Sequence, residues 1–196
     1  MKMYYKIVYR AILLSIIFCF FGCKQLREIQ TLTKCEFRLS TINILTIDNI
    51  NVSQVKSISD LDFLTITRLG NALLSGRLPI TYVANIEAFN PNSQKAAISK
   101  FLLHVLYNDT ELLQSEINQY VEVMPGKKAM IPVQLTSDIG SIVKGQSIQS
   151  LIGVLLSGSE DVPSVFTVKM KPSLKVGPAT VQYPGYITLT KDFKSK

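Results

Sequence analysis

The sequence predicts a mainly β protein, an antiparallel β-sandwich carrying one or two added helices. Three observations lead there. From Ile80 to Phe89 the chain alternates, with Ile80, Tyr82, Ala84, Ile86 and Ala88 on one side and Thr81, Val83, Asn85, Glu87 and Phe89 on the other. That is the period-two pattern of a sheet with unlike faces. The run enters Asn90-Pro91-Asn92, where the proline fixes its own φ, turns Asn90 away from helix, and two amide side chains can bond nearby backbone to close a turn. Shorter alternating runs, separated by Asn, Asp, Pro and Gly clusters, recur towards the C-terminus.

The N-terminus reads as an address. Lys2, Lys6 and Arg10 precede an apolar run from Ala11 to Phe21, followed by Gly22-Cys23, the charged, hydrophobic and small-residue regions of a secretory signal in order. A retained transmembrane anchor is the competing reading, but the run falls short of the about 20 apolar residues a span needs. The sequence therefore divides into a signal peptide over 1–22, a tether over 23–34 and one domain over 35–196. Removing the leader leaves 18 basic against 14 acidic residues, without a Lys/Arg stripe interleaved with aromatics, which excludes nucleic acid as a partner. With 47% hydrophobic and 18% charged residues, the chain is neither disordered nor fibrous. Cys35 alternates with Phe37 and Leu39 and is expected to be a buried structural thiol.

In chain order, Cys35, Phe37 and Leu39 alternate and Ile42 and Ile44 resume out of phase, predicting a first strand bent near Ser40-Thr41. Asp48-Asn49 is a turn. Ser59 with Asp62 resembles a cap, and Leu61, Leu64, Ile66, Leu69 and Leu73 give a helical face that Gly76 ends, although Leu64-Thr65-Ile66-Thr67 also reads as a strand. Ile98 to Tyr107 is a covered inner strand, Asn108-Asp109 a hairpin turn and Thr110 to Ile117 the return. Val121 and Val123 lead to the turn Pro125-Gly126. In the following strand, Ala129 to Leu135, Pro132 argues for an edge position or a bulge. Ser137-Asp138 is expected to open a helical stretch with Ile139, Ile142 and Val143, later Leu151, Ile152 and Leu155, packed on the sandwich rather than on a membrane. Phe166, Val168 and Met170 alternate in a strand with one wet face, and Tyr186 to Thr190 is extended.

Two family resemblances add to this reading. Phe20-Phe21-Gly22-Cys23 resembles a bacterial lipobox, which implies lipidation of Cys23 and a membrane partner reached through its acyl chains. Lys24 after the cysteine implies an outer-membrane location facing the periplasm. Cys19, preceded by Phe18, is a poorer match. The alternating strand ending in Asn90-Pro91-Asn92, the strand ending near Tyr107, the Asn108-Asp109 hairpin, and Pro125-Gly126 before Ile131-Pro132-Val133-Gln134-Leu135 together resemble the late embryogenesis abundant type 2 family, also called the water stress and hypersensitive response domain. The resemblance covers Cys35 to Leu135. It implies an immunoglobulin-like antiparallel sandwich of about seven strands and no enzymatic activity, with a binding or stress-protective role. The long connection Ser59 to Gly76, the absence of glycine from Leu113 to Ile117, and the helical stretch after Leu135 depart from the family, and recognition is expected on the insert before the strand and on the helices after Leu135.

Few residues suggest chemistry. The single histidine, His104, lies in an apolar strand without cysteine or acidic companions at metal-ligand spacing, and is expected to be a hydrogen-bonded core or edge residue. No nucleophile elbow, phosphate loop, dinucleotide fingerprint or zinc-protease motif occurs, so neither cofactor nor metal is expected. Glu87, Glu111 and Glu122 could form a dispersed carboxylate site only if the fold gathers them. Tyr183-Pro184-Gly185-Tyr186 is expected to be a turn with packed tyrosines, a glycan or peptide platform being the alternative. The sequence thus points to a lipid-anchored, non-catalytic envelope module, with Asn90, Pro91 and Asn92 as scaffold. The second reading is a periplasmic carrier of lipid or another apolar ligand.

Overall fold

A computed structural model describes residues 31–143, 164–176 and 179–193. Two antiparallel sheets face one another. The first has the order β2 (Ile50–Asn51), β1 (Glu36–Ile47), β3 (Pro79–Phe89), β8 (Lys128–Asp138). The second runs from β6 (Thr110–Ile117) through β5 (Lys100–Tyr107) to β9 (Ser164–Val176), whose far side pairs with β10 (Ala179–Gln182) and β11 (Ile187–Phe193). Because β10 takes Ser173–Val176 and β11 takes Ser164–Met170, these two lie end to end as one interrupted edge strand. A small ribbon of β4 (Ala96–Ile98) and β7 (Val121–Val123) closes one end.

The expected alternation of β3 is realised without interruption. Ile80, Tyr82, Ala84, Ile86 and Ala88 are buried and the residues between them are half-covered. They meet Leu39, Ile44 and Ile47 of β1 and Ile131, Val133 and Leu135 of β8. From the second sheet come Phe101, Leu103, Val105, Tyr107, Phe166, Val168, Met170 and Leu189, all in the same core. Tyr107 and Phe166 set their rings 5.1 Å apart at 60°, and the buried hydroxyl of Tyr82 lies 3.1 Å from Ser137 Oγ. Burial pushes that phenol's pKa up.

β1 breaks register between Leu39 and Thr41, which moves its apolar residues back to the core face after the phase change in the sequence. Both hairpin turns use left-handed residues, Asp48 and Asn49 at φ 49° and 62°, Asn108 and Asp109 at φ 46° and 63°. Pro132 sits on β8, an edge strand, where a residue without an N–H is tolerated. The strand expected from Ile98 to Tyr107 is divided at Ser99, whose N–H goes to Ser173 O at 2.8 Å, so that Ala96–Ile98 pairs elsewhere.

Helix α1 (Phe63–Ser75) decides the ambiguity at Leu64–Thr67 in favour of helix. Its N-cap is Asp62, whose carboxylate accepts from Thr65 N at 2.8 Å, rather than Ser59. Gly76 ends it at φ 72°. Leu69 and Leu73 are buried, whereas Leu64 faces out: five residues before Leu69, it lies about 140° round the helix. Phe63, Leu64 and Leu74 are 79%, 77% and 82% exposed.

The stretch opening at Ser137-Asp138 is not a helix start. Ser137 and Asp138 complete β8 opposite Ile80 and Pro79. Asp138 Oδ1 accepts from Leu78 N at 2.8 Å and Gly140 N at 3.0 Å, so the carboxylate that suggested a cap ends a strand instead. Ile139 and Val143 are buried in the core. The helical spacing of Leu151, Ile152 and Leu155 lies outside the described residues.

Gly140 is required by proximity, because a Cβ there would stand 2.5 Å from Gly76 C and O. At Gly70, inside α1, a Cβ would meet nothing within 4 Å. Gly140→Ala is therefore expected to lower stability by about 1–3 kcal/mol through overpacking, and Gly70→Ala to raise it by about 0.5–1 kcal/mol. Urea unfolding of the two variants checks the opposite signs, and an unchanged midpoint for Gly140→Ala would contradict the packing described.

Candidate functional site

The turn at Asn90-Pro91-Asn92 is built around one amide. Asn90 is 0% exposed and uses all its polar atoms. Its Nδ2 donates to Gln94 O and Val123 O, both at 2.8 Å. Its Oδ1 accepts from Asn92 N at 3.0 Å and Asn92 Nδ2 at 2.9 Å. The backbone N–H of Asn90 reaches Lys127 O at 3.0 Å, and its carbonyl accepts from Gly126 N at 2.8 Å. One side chain thus joins the end of β3, the β7 ribbon and the Pro125-Gly126 turn. Two donors and two acceptor lone pairs are all an amide has, so none is left for a ligand. Pro91 is exposed beside it.

Asn92 extends the junction to the N-terminal segment, donating from Nδ2 to Thr31 O at 3.1 Å. Thr31 and Leu32 are buried, and Leu32 is part of the core. Cys35 is half-buried with its thiol 3.5 Å from Thr31 O, and burial pushes its pKa up to about 11, which keeps the sulfur protonated and unreactive at neutral pH. Cys23 lies outside the described residues, as do the signal segment and the first part of the tether. Since Glu36 pairs with Phe89 and Ile47 with Ile80, the chain enters the sandwich at the Asn90 end. α1 hangs from the other end, roughly 35 Å away along an eleven-residue strand.

The three glutamates weighed as a dispersed site are not brought together. Glu87, on the outer face of the first sheet, pairs with Arg38 at 2.7 Å and Lys128 at 3.1 Å, and their hydrogen bonds hold its pKa below the ordinary carboxylate value. Glu122 sits on the ribbon with Lys95 and the Tyr120 hydroxyl, again with a lowered pKa. Glu111 lies on the second sheet. Among the described residues, no group of three His, Cys, Asp or Glu side chains could hold a metal ion, and no helix is long and apolar enough to cross a membrane.

A cluster that the sequence does not announce covers the outer face of the second sheet. His104 points outward from β5, its Nδ1 2.8 Å from Glu111 Oε2 and its Nε2 3.3 Å from the Tyr186 hydroxyl. In the neutral ring Glu111 can only accept, so the proton sits on Nδ1, and Nε2 accepts from the tyrosine. The two rings meet edge-on, 5.2 Å apart at 87°. Lys171 Nζ stands 5.7 Å from the Tyr186 ring centroid. Tyr186 is 46% exposed, at the interruption between β10 and β11, where Tyr183 N donates to Pro172 O at 2.8 Å. Of the Tyr-Pro-Gly-Tyr motif, one tyrosine is thus half-buried and the other presented.

No protein-family model matches the chain, and no curated protein matches it. Among solved structures, a crystal structure of a protein from Archaeoglobus fulgidus is similar at 14% identity and a TM-score of 0.37, over 60% of this chain and 86% of that one. A solution structure from Arabidopsis thaliana is similar at 10% identity and 0.46, over 81% and 80%. A solution structure provisionally assigned as a late embryogenesis abundant protein is similar at 12% identity and 0.41, over 95% and 84%. Overlaps this loose say nothing of activity.

Removing the Asn90 amide strands two carbonyls and two donors inside the protein. Asn90→Ala is expected to cost about 2–4 kcal/mol, since buried unpaired groups cost about 1–3 kcal/mol each and some recover water. Pro91→Ala, at an exposed position, is expected to cost about 0.5–1 kcal/mol through unfolded-state entropy. Chemical denaturation of both variants checks the ranking, and an Asn90→Ala midpoint equal to the native one would contradict it.

Proposed function

We propose that this chain is a lipid-anchored, non-catalytic module of the cell envelope, a late embryogenesis abundant type 2-like sandwich that binds or protects a component there. In this reading acyl chains on Cys23 hold it to the outer membrane, facing the periplasm. Each buried methylene contributes about 0.8 kcal/mol, so several chains together make attachment lasting.

The observation that carries the reading is the use to which the Asn90-Pro91-Asn92 turn is put. Its polar atoms are spent on β3, β7 and the Gly126 turn, and through Asn92 on Thr31, where the N-terminal segment enters. A motif consumed in this way supports a scaffold rather than a reaction centre, and it directs the tether from one end of the sandwich. The carrier reading finds less support. Tyr82, Phe101, Ile86, Leu103 and Ile131 fill the space between the sheets, each at most 1% exposed.

Growth with labelled palmitate tests the anchor. The native chain is expected to take up label and sediment with membranes, and Cys23→Ala to lose both. Equal labelling of the two would overturn the reading.

A further inference from the structure

We propose that the outer face of the second sheet, around Tyr186, Lys171, Lys169 and His104, is a binding site for an acidic saccharide. The proposal rests on the reading of the chain as a binding module and names the ligand class; it does not depend on the anchor.

The face has an order set by register. Across it lie Glu116, Leu102 and Lys171 in one row, and Gln114, His104, Lys169 and Thr188 in the next. Lys169, Lys171 and Lys175 share one side of β9, the first two about 6.5–7 Å apart. Two carboxylates of the face are engaged, Glu111 by His104 at 2.8 Å and Glu116 by Lys100 at 3.0 Å. None of the three β9 lysines is ion-paired to a carboxylate among the described residues. The face therefore offers cationic charge that the carboxylates of the described residues do not pair.

Tyr186 gives that charge a shape. An exposed tyrosine costs free energy in water that a packed one does not, yet this ring is held in place from two sides, by His104 at its hydroxyl and by Lys171 over its ring. Glu111 fixes the imidazole from behind, so the hydroxyl has a defined partner and oxygen lone pairs left to accept from a ligand hydroxyl. A ring with a flat apolar body and a polar tip, beside two ammonium groups on a flat sheet, suits a ligand that is itself flat, hydroxylated and anionic. An acidic sugar chain has these properties: C–H faces to lie on the ring, hydroxyls for Tyr186 and carboxylates for Lys169 and Lys171. A bilayer surface suits it less, because the outward leucines Leu102 and Leu106 are half-buried and, among the described residues of this face, no aliphatic side chain stands out to enter acyl chains. Single-stranded nucleic acid needs successive aromatic platforms, and among the described residues this face has one exposed aromatic ring, Tyr186.

The test uses the full chain in detergent, with polygalacturonate oligomers as the acidic probe and their methyl esters as the uncharged form of the same backbone. Binding of the acid is expected, weakened at least tenfold by methyl esterification and progressively by added salt. Tyr186→Ala and the double variant Lys169→Ala, Lys171→Ala are each expected to lose at least tenfold at an unchanged unfolding midpoint, while Tyr186→Phe, which keeps the ring, retains most of the binding. No binding of the acid, equal binding of acid and ester, variants that bind like the native chain, or binding confined to phosphatidylglycerol vesicles or to an acidic peptide would each overturn the site. Labelled palmitate on Cys23 together with absent saccharide binding would overturn the site and leave the anchor standing.

Discussion

A buried amide has to find four partners or be paid for in stability, and at Asn90 those partners come from every part of one end of the molecule. Gln94 and Val123 take its donors, Asn92 fills its acceptor, and Lys127 and Gly126 close on its backbone. Through these bonds Asn90 links the end of β3 to the ribbon and to the Pro125-Gly126 turn that leads into β8. Asn92 then passes the constraint to Thr31, and with it to the point where the chain enters the domain. A hydrophobic core can tolerate exchanges of similar volume, but such a network cannot lose one member without leaving the others unpaired.

That constraint leaves the solvent-facing surfaces free to differ. The first sheet spends its outer charge internally, Glu87 bridging Arg38 on β1 and Lys128 on β8 across three strands. The second sheet does so only in part. Glu111 and Glu116 pair with His104 and Lys100, while Lys169 and Lys175 of β9 are exposed and Lys171 lies over the ring of exposed Tyr186. Both outer faces thus carry ion pairs, and among the described residues the second also keeps the β9 lysines outside them.

Where local chemistry and tertiary demand coincide, the sequence is readable. β3 shows its buried face because every second residue is apolar and none is out of phase. Asp48-Asn49 and Asn108-Asp109 are legible because left-handed φ angles select such residues. Pro132 and Gly76 mark an edge and a helix end for equally local reasons. Asp138 misleads because a short carboxylate serves a strand end as well as a helix start, and only Leu78, sixty residues earlier, decides between them. Ser99 divides a continuous apolar run because the two halves pair with different strands, and β10 is too short and polar to show a period. The cluster at His104 is invisible for a different reason. Its partners lie 7 and 82 residues away, and they converge through the register of β6, β5, β9 and β11 rather than through any spacing in the chain.

If Asn90 holds its end of the sandwich together, the amides it organises should open only when the whole domain unfolds. Native-state hydrogen exchange at Asn90 and Gly126, compared with Ile86 in the centre of β3, tests this most directly. Exchange of all three at the rate set by global unfolding is the predicted result. Fast exchange of Asn90 and Gly126, while Ile86 stays protected, would show an ordinary fraying turn and contradict the account.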